Sequence, residues 1–133
     1  MAAMMRLLGF LVTWLACTAL HTACALEPEG STEFAQQDLD FFEQRVRPLL
    51  IENCLSCHDD GTQESGLRLD SRAGALAGGD RGPAIVPGDP AAGLLMQAVR
   101  GDGELEMPPD DPLNEQQIAE LVHWIEIGAP WSD

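Results

Sequence analysis

The chain has 133 residues, a length that allows one domain. Its 22 acidic residues outnumber seven arginines, lysine is absent, and the formal net charge is −15. A charge this negative argues against nucleic acid or an anionic membrane surface as a partner.

The first 25 residues have the composition of a secretory signal. Arg6 is the only charged residue before Glu27, an apolar run of 14 residues extends from 7 to 20, and 23–25 is a small-x-small cleavage site. A bilayer-spanning helix needs about 20 apolar residues, so the short run favours cleavage over a retained membrane anchor. Lipidation at Cys24 is a third alternative, although His21 replaces the usual leucine three residues earlier. We therefore predict a signal peptide over 1–25 and export to the periplasm or another extracytoplasmic compartment.

Cleavage after Ala25 would leave two cysteines, so no disulfide framework is expected, although export would permit one. The mature chain would then contain six arginines and all 22 acidic residues, which gives a net charge of about −16. Such a charge either steers the protein towards a basic docking partner or simply keeps an exported protein soluble.

Residues 26–38 are polar and predict a linker, followed by one domain over 39–133. Asp40 and Glu43 form the pattern of a capping box, which predicts the start of a helix there. Apolar residues at helical spacing then lead into the first of the two cysteines: Phe42, Val46, Leu49 and Leu50. Pro48 interrupts this pattern, so either the helix kinks there or a second helix begins with Pro48 in its first turn.

Cys54-Leu55-Ser56-Cys57-His58 is a C-x-x-C-H sequence, the pattern of c-type haem attachment. Two thiols at this spacing can each add to one haem vinyl group, and the adjacent His58 can then ligate the iron as its proximal ligand. The pattern predicts one covalently attached haem c.

Zinc and a redox dithiol are the alternatives for this motif. A four-cysteine zinc site would need Cys17 and Cys24, which lie in the predicted signal. A Cys2His2 site with His58 and His123 is conceivable, but a histidine directly after Cys57 is not a zinc-finger spacing. A thioredoxin-like site would require strands alternating with helices, and no such pattern occurs.

Residues 59–112 are rich in Gly, Pro and Asp and show little periodicity. The stretch predicts a short extended piece at 67–69, a short helix at 71–76 and turns at 78–83 and 87–90. Asp89 as N-cap and Pro90 after it predict a helix that ends at Gly101 and buries Leu94, Leu95, Ala98 and Val99. A loop region this long is unusual in a small domain, unless a haem fills the core behind it.

Met107 precedes two prolines, and Pro108 favours an extended backbone at the methionine. That conformation would suit a thioether presented from a loop to the iron, so Met107 is the candidate for the distal ligand. Met96 is expected in the core and His123 in solvent, and an open or water-bound sixth position stays an alternative. His/Met ligation suits electron transfer, whereas an open site would permit gas binding or peroxide chemistry.

The last helix has the clearest pattern of the chain. Asn114 is the expected N-cap with Gln117 three residues later, and Gly128 followed by Pro130 marks the end. Its predicted apolar stripe comprises Ile118, Leu121, Val122 and Ile125, with Trp124 on the flank.

Taken together, several sequence segments of this chain resemble the planctomycete-type cytochrome c domain, a class I cytochrome c-like family. The resemblance covers about 41–131 and rests on 46–50, the C-x-x-C-H motif, 66–72, 78–90, Met107-Pro108-Pro109 and 124–130. It implies an all-α fold of helices and long irregular loops around a covalent haem c. It also implies thioether bonds at Cys54 and Cys57 and axial ligands His58 and Met107. Pro83 is the first candidate, and Pro87 the second, for the carbonyl that accepts a hydrogen bond from His58.

The expected function is that of an exported mono-haem electron carrier, which is not an enzyme and which docks to a redox partner protein. Two alternatives remain from the sequence. One is a haem-binding sensory or regulatory domain severed from a larger exported enzyme. The other is a small peroxidase, which would need a distal His or Arg; Arg68, Arg72, Arg81 and Arg100 are the available arginines.

Overall fold

A long N-terminal helix with a widened central turn leads directly to the C-x-x-C-H motif. The structure is a computed structural model that describes residues 34–132; the predicted signal peptide and most of the predicted linker lie outside this range. Helix α1 spans Gln36–Phe41, a π-helical turn spans Phe42–Val46, and α2 spans Arg47–Asn53. The backbone stays helical through both junctions. The prediction that a helix delivers the cysteine pair is confirmed.

Pro48 lies in the first turn of α2, directly after the π-helical turn. A proline has no N–H to donate, and its ring clashes with the carbonyl four residues before it in a regular α-helix. The wider π turn moves that carbonyl away, so the chain passes Pro48 without a break in helical structure.

The predicted capping box at Asp40 and Glu43 is wrong. The helix begins at Gln36 with Ala35 as its N-cap, and Asp40 lies within it, where it accepts a hydrogen bond from Gln36 at 2.8 Å. Glu43 binds Arg47 instead of the backbone. An acidic residue one turn into a helix pairs with side chains four residues away, and the same spacing produced the false cap pattern.

Three further α-helices complete the described part of the chain: α3 over Arg72–Ala77, α4 over Leu94–Arg100 and α5 over Glu115–Glu126. The predicted short helix at 71–76 forms as α3, with Ser71 as its side-chain N-cap, and Gly101 ends α4 as predicted, in the left-handed conformation with φ 66°. Helix α4 begins later than predicted, after Gly93, because 89–92 form turns in which the Asp89 carboxylate accepts from the Ala91 N–H. Residues 34–132 contain no strand, only an isolated bridge between Gly79 and Gly82. The all-α prediction therefore holds for this range.

Helix α5 forms the centre of the core. It packs on α4 and on the π-helical turn. Trp124 is fully buried, stacks on Phe42 at 6.0 Å between ring centroids and donates its indole N–H to the Pro130 carbonyl at 2.8 Å. The buried face of α5 therefore differs from the predicted apolar stripe. Leu121, Trp124 and Ile125 are buried, whereas Ile118 and Val122 are only partly covered.

The ends of α5 match the sequence prediction. Asn114 and Gln117 form a reciprocal capping box, and Gly128 follows the helix with φ 97°. Arg72, on α3, donates to the carbonyls of Gly128 and Ala129. This contact ties the C-terminal turn to the irregular half of the molecule.

Between residues 34 and 132, no helix is both long enough and apolar enough to cross a bilayer.

Candidate functional site

The C-x-x-C-H turn continues directly from α2. The Cys54 N–H donates to Leu50 at 2.9 Å, as in the helix, and the His58 N–H donates back to the Cys54 carbonyl at 3.0 Å. On the other side, the His58 carbonyl accepts from the Leu69 N–H at 2.7 Å. The turn is therefore held both by the helix that precedes it and by the loop that follows it.

The two cysteines have different environments. Cys54 is buried, whereas Cys57 is exposed, and both are free thiols. Burial raises the pKa of the Cys54 thiol to about 11, because a thiolate there would lose its hydration. Both thiols nevertheless border the same cavity.

This cavity has a volume of about 560 Å³, within the range of about 300–1,000 Å³ that is usual for cofactor and ligand sites. Its apolar wall comes from α4 and the loops around it: Leu67, Leu69, Ala84, Leu94, Leu95, Ala98, Val99, Leu105 and Pro108. The irregular region 59–112 thus supplies most of a concave apolar surface. This placement agrees with the prediction that these loops wrap a cofactor.

Met107 borders the same cavity as His58, although 49 residues separate them in the sequence. Its backbone N–H donates to the Ala98 carbonyl at 3.0 Å, which fixes the methionine loop to the end of α4. The residue is 36% exposed. By contrast, Met96 is 1% exposed in the core, and His123 is exposed and packs edge-on against Phe41. Neither Met96 nor His123 borders the cavity.

His58 is the polar group of the site that has no internal partner. Its Nδ1 atom is buried and forms no hydrogen bond with any described residue. The carbonyl of Pro83, predicted as its acceptor, receives the N–H of Leu94 at 3.1 Å. The hydrogen bond from His58 to Pro83 stays a prediction.

The residues present fit a haem c. Two thiols, an imidazole with an unpaired buried nitrogen and a thioether face one apolar cavity of suitable size. No group of three or more His, Cys, Asp or Glu side chains suited to a metal ion occurs in the described range. The roles of the individual residues as attachment points and axial ligands stay predictions.

Four arginines were candidates for a site role, and the sequence could not place them. Arg68 forms an ion pair with Asp70 at 2.8 Å, and Arg72 binds the C-terminal turn. Of the four, Arg81 alone borders the cavity. Arg81 lies two positions after the glycine pair 78–79. Gly78 adopts φ 73°, and a Cβ atom there would collide with the backbone of Gly82. A turn that only glycine can make is thus the signal that places Arg81 at the cavity.

The fold and the site define a small all-α domain with a cofactor cavity behind a C-x-x-C-H turn. Residues 54–111 match the family model described as Planctomycete cytochrome C. The match is consistent with a planctomycete-type cytochrome c domain over this segment and confirms the resemblance found in the sequence. The match begins at the first cysteine and includes Met107, while α2 and α5 lie outside it. No curated protein and no solved structure matches the chain.

Proposed function

We propose that this protein is an exported c-type cytochrome that carries single electrons on one covalently bound haem. One observation carries the proposal: both thiols, His58 and Met107 border a single apolar cavity. A haem c supplies an iron that cycles between Fe(III) and Fe(II). The protein supplies attachment, two axial ligands and a wall that excludes water.

Each side chain has one role in the proposal. Cys54 and Cys57 would hold the haem through two thioethers, the products expected when the S–H of each thiol adds across one haem vinyl double bond. His58 donates an imidazole nitrogen from the side of the C-x-x-C-H turn, and Met107 donates its thioether from the loop held by Ala98. This ligand pair raises the reduction potential and closes the iron to substrates, so the protein transfers electrons and is not an enzyme.

The exposure of Met107 favours one competing hypothesis. A thioether on a residue that is 36% exposed and anchored through a single backbone hydrogen bond can leave the iron more easily than a buried one. An open sixth position would make the protein a sensory or regulatory haem domain, or a small peroxidase. The following experiment separates these possibilities from electron transfer.

The test is optical spectroscopy of the purified holoprotein in both oxidation states. We expect the weak long-wavelength absorption band of methionine-bound ferric haem in the wild type and its loss in Met107→Ala. Met96→Ala is the matched control: it should keep the band while losing about 2–5 kcal/mol of stability, because it opens a cavity in the core. A wild type without the band, whose ferrous form binds carbon monoxide, would overturn the electron-carrier proposal.

Export and the redox partner belong to the same proposal. Sequencing of the N-terminus of the protein isolated from the periplasm should give Leu26 as the first residue; retention of residues 1–25 would support an anchor instead. The partner is a redox protein with a basic docking surface. Five acidic residues that line the cavity support this, because they would attract a basic surface to it: Glu52, Glu64, Asp80, Asp110 and Asp111.

A further inference from the structure

The charges that border the cavity are unbalanced. Besides His58 and the two cysteine thiols, the ionisable side chains on its wall are five carboxylates, Glu52, Glu64, Asp80, Asp110 and Asp111, and one guanidinium, that of Arg81. A haem brings two propionate carboxylates of its own into this setting. Carboxylates placed near carboxylates repel each other, so a propionate here needs a cationic partner. This argument rests on the proposed function, because it assumes that the cavity holds haem.

Arg81 stands where the large cavity meets a smaller recess of about 210 Å³. The recess is bordered by Arg81, Leu94, Gln97, Gly103, Glu104 and Leu105, and three of these also border the large cavity: Arg81, Leu94 and Leu105. The recess therefore adjoins the space proposed for the porphyrin. It contains two side chains with N–H donors, Arg81 and Gln97.

The Arg81 guanidinium is not committed elsewhere. Within residues 34–132 it forms no ion pair and no side-chain hydrogen bond, whereas Arg47 and Arg68 pair with carboxylates and Arg72 binds backbone carbonyls. Arg81 is also exposed, so its reorientation breaks no internal contact of this kind. A guanidinium presents five N–H donors in a planar fork that matches a carboxylate.

We infer that Arg81 binds one haem propionate in this recess, with the side-chain amide of Gln97 as a second donor. A charge-assisted, two-point contact of this kind would help to hold the haem in the cavity. It also offsets the repulsion between that propionate and Glu104 or Asp80. Arg81 is thus a cofactor-positioning residue that also sets the charge beside the haem.

The test is a redox titration of the purified holoprotein from about pH 5 to about pH 8. Arg81→Gln should show a lower reduction potential near neutral pH and a potential that rises more steeply than that of the wild type as the pH falls. Without the guanidinium the propionate binds a proton within this range, and the loss of its negative charge favours Fe(II). Arg81→Lys should restore most of the wild-type profile.

Arg100→Gln is the matched control, because Arg100 is an exposed arginine on α4 that borders neither cavity. It removes the same charge and should leave the shape of the pH profile unchanged. Identical profiles for Arg81→Gln and the wild type, or equal changes for Arg81→Gln and Arg100→Gln, would overturn the inference. Mass spectrometry of the same samples keeps the two proposals apart. A wild type without covalent haem defeats the proposed function and this inference with it, whereas covalent haem with unchanged profiles defeats only the role of Arg81.

Discussion

Cys54 and Cys57 are equivalent in the sequence motif and different in the fold. The first closes α2 and is buried, whereas the second lies in the turn beyond it and is exposed. A thiolate is the reactive form of cysteine, and burial disfavours it at Cys54. The two thiols therefore differ in access, and burial keeps the Cys54 thiol in its protonated form.

This difference predicts the order of chemical modification. In haem-free protein near neutral pH, iodoacetamide should alkylate Cys57 well before Cys54, because the buried thiol is shielded and protonated. Peptide mapping by mass spectrometry over a time course measures the two rates. In denaturant, which removes the difference in burial, the two rates should converge. Faster alkylation of Cys54 than of Cys57 in the folded protein would contradict the structure.

At the scale of elements, α5 supports the site without touching it. Its Trp124 packs against Phe42 and Trp131, which also contact each other, and Arg47 covers those two rings from α2. The same helix accepts the N–H of Gly88 at the Ile125 carbonyl, 2.7 Å, and thereby holds the loop that precedes α4. Since the cysteines follow α2, which continues from the π-helical turn, and α4 carries much of the cavity wall, α5 packs against both sides of the site's framework.

The cap of α5 gives a prediction for its stability. Asn114→Ala should lower the free energy of unfolding by about 1 kcal/mol, because the Gln117 N–H loses its side-chain acceptor. Urea unfolding followed by circular dichroism measures the change. Gln116→Ala, an exposed position on the same helix, is the control and should change stability by less than about 0.5 kcal/mol. Equal effects at both positions would argue against the cap.

For the whole molecule, the dominant feature is a cavity of about 560 Å³ in a domain of modest size. Within residues 34–132, no side chain fills the space that its apolar wall encloses. Folded domains are stable by only about 5–15 kcal/mol, and an unfilled apolar cavity costs stability in proportion to its volume. The cofactor is therefore expected to complete the core as well as to carry the redox chemistry.

Removal of the haem should consequently weaken cooperative folding. The double variant Cys54→Ser, Cys57→Ser should contain no haem after denaturation and should unfold at a much lower urea concentration than the holoprotein, with a broad transition. Circular dichroism measures the midpoint and the breadth of the unfolding transition. Cys57→Ser alone, which keeps one thioether, is the control and should fall between the two. A sharp, unshifted transition in the haem-free protein would disprove the structural role of the cofactor.

The acidic surface gives a second prediction for the whole molecule. Electron exchange with a basic redox protein should slow as salt rises from about 10 mM to about 150 mM, because screening shortens the range of attraction to about 8 Å. Stopped-flow absorption at the haem band measures the rate. With an acidic redox protein of similar potential the salt dependence should reverse. If the rates with both partners were independent of salt, the negative charge of the protein would serve solubility alone.

The sequence determined several features that depend only on neighbouring residues. The C-x-x-C-H motif, the capping box of Asn114, the end of α4 at Gly101 and the short helix after Ser71 all follow from spacing and local backbone preference. Local patterns also misled, since the spacing of Asp40 and Glu43 suits a cap and an interior helical position equally well.

Only the tertiary structure decided what depends on distant parts of the chain. It placed Met107 at the same cavity as His58, moved Trp124 from the flank of a stripe to the centre of the core, and left Arg81 as the cation on an acidic wall. His58 and Met107 are 49 positions apart in the sequence, and the packing of α4, α5 and the loops brings them to one cavity. No local backbone preference encodes this proximity. A charge acquires its role from the charges that folding brings around it, which is why the sequence could name Arg81 but could not place it.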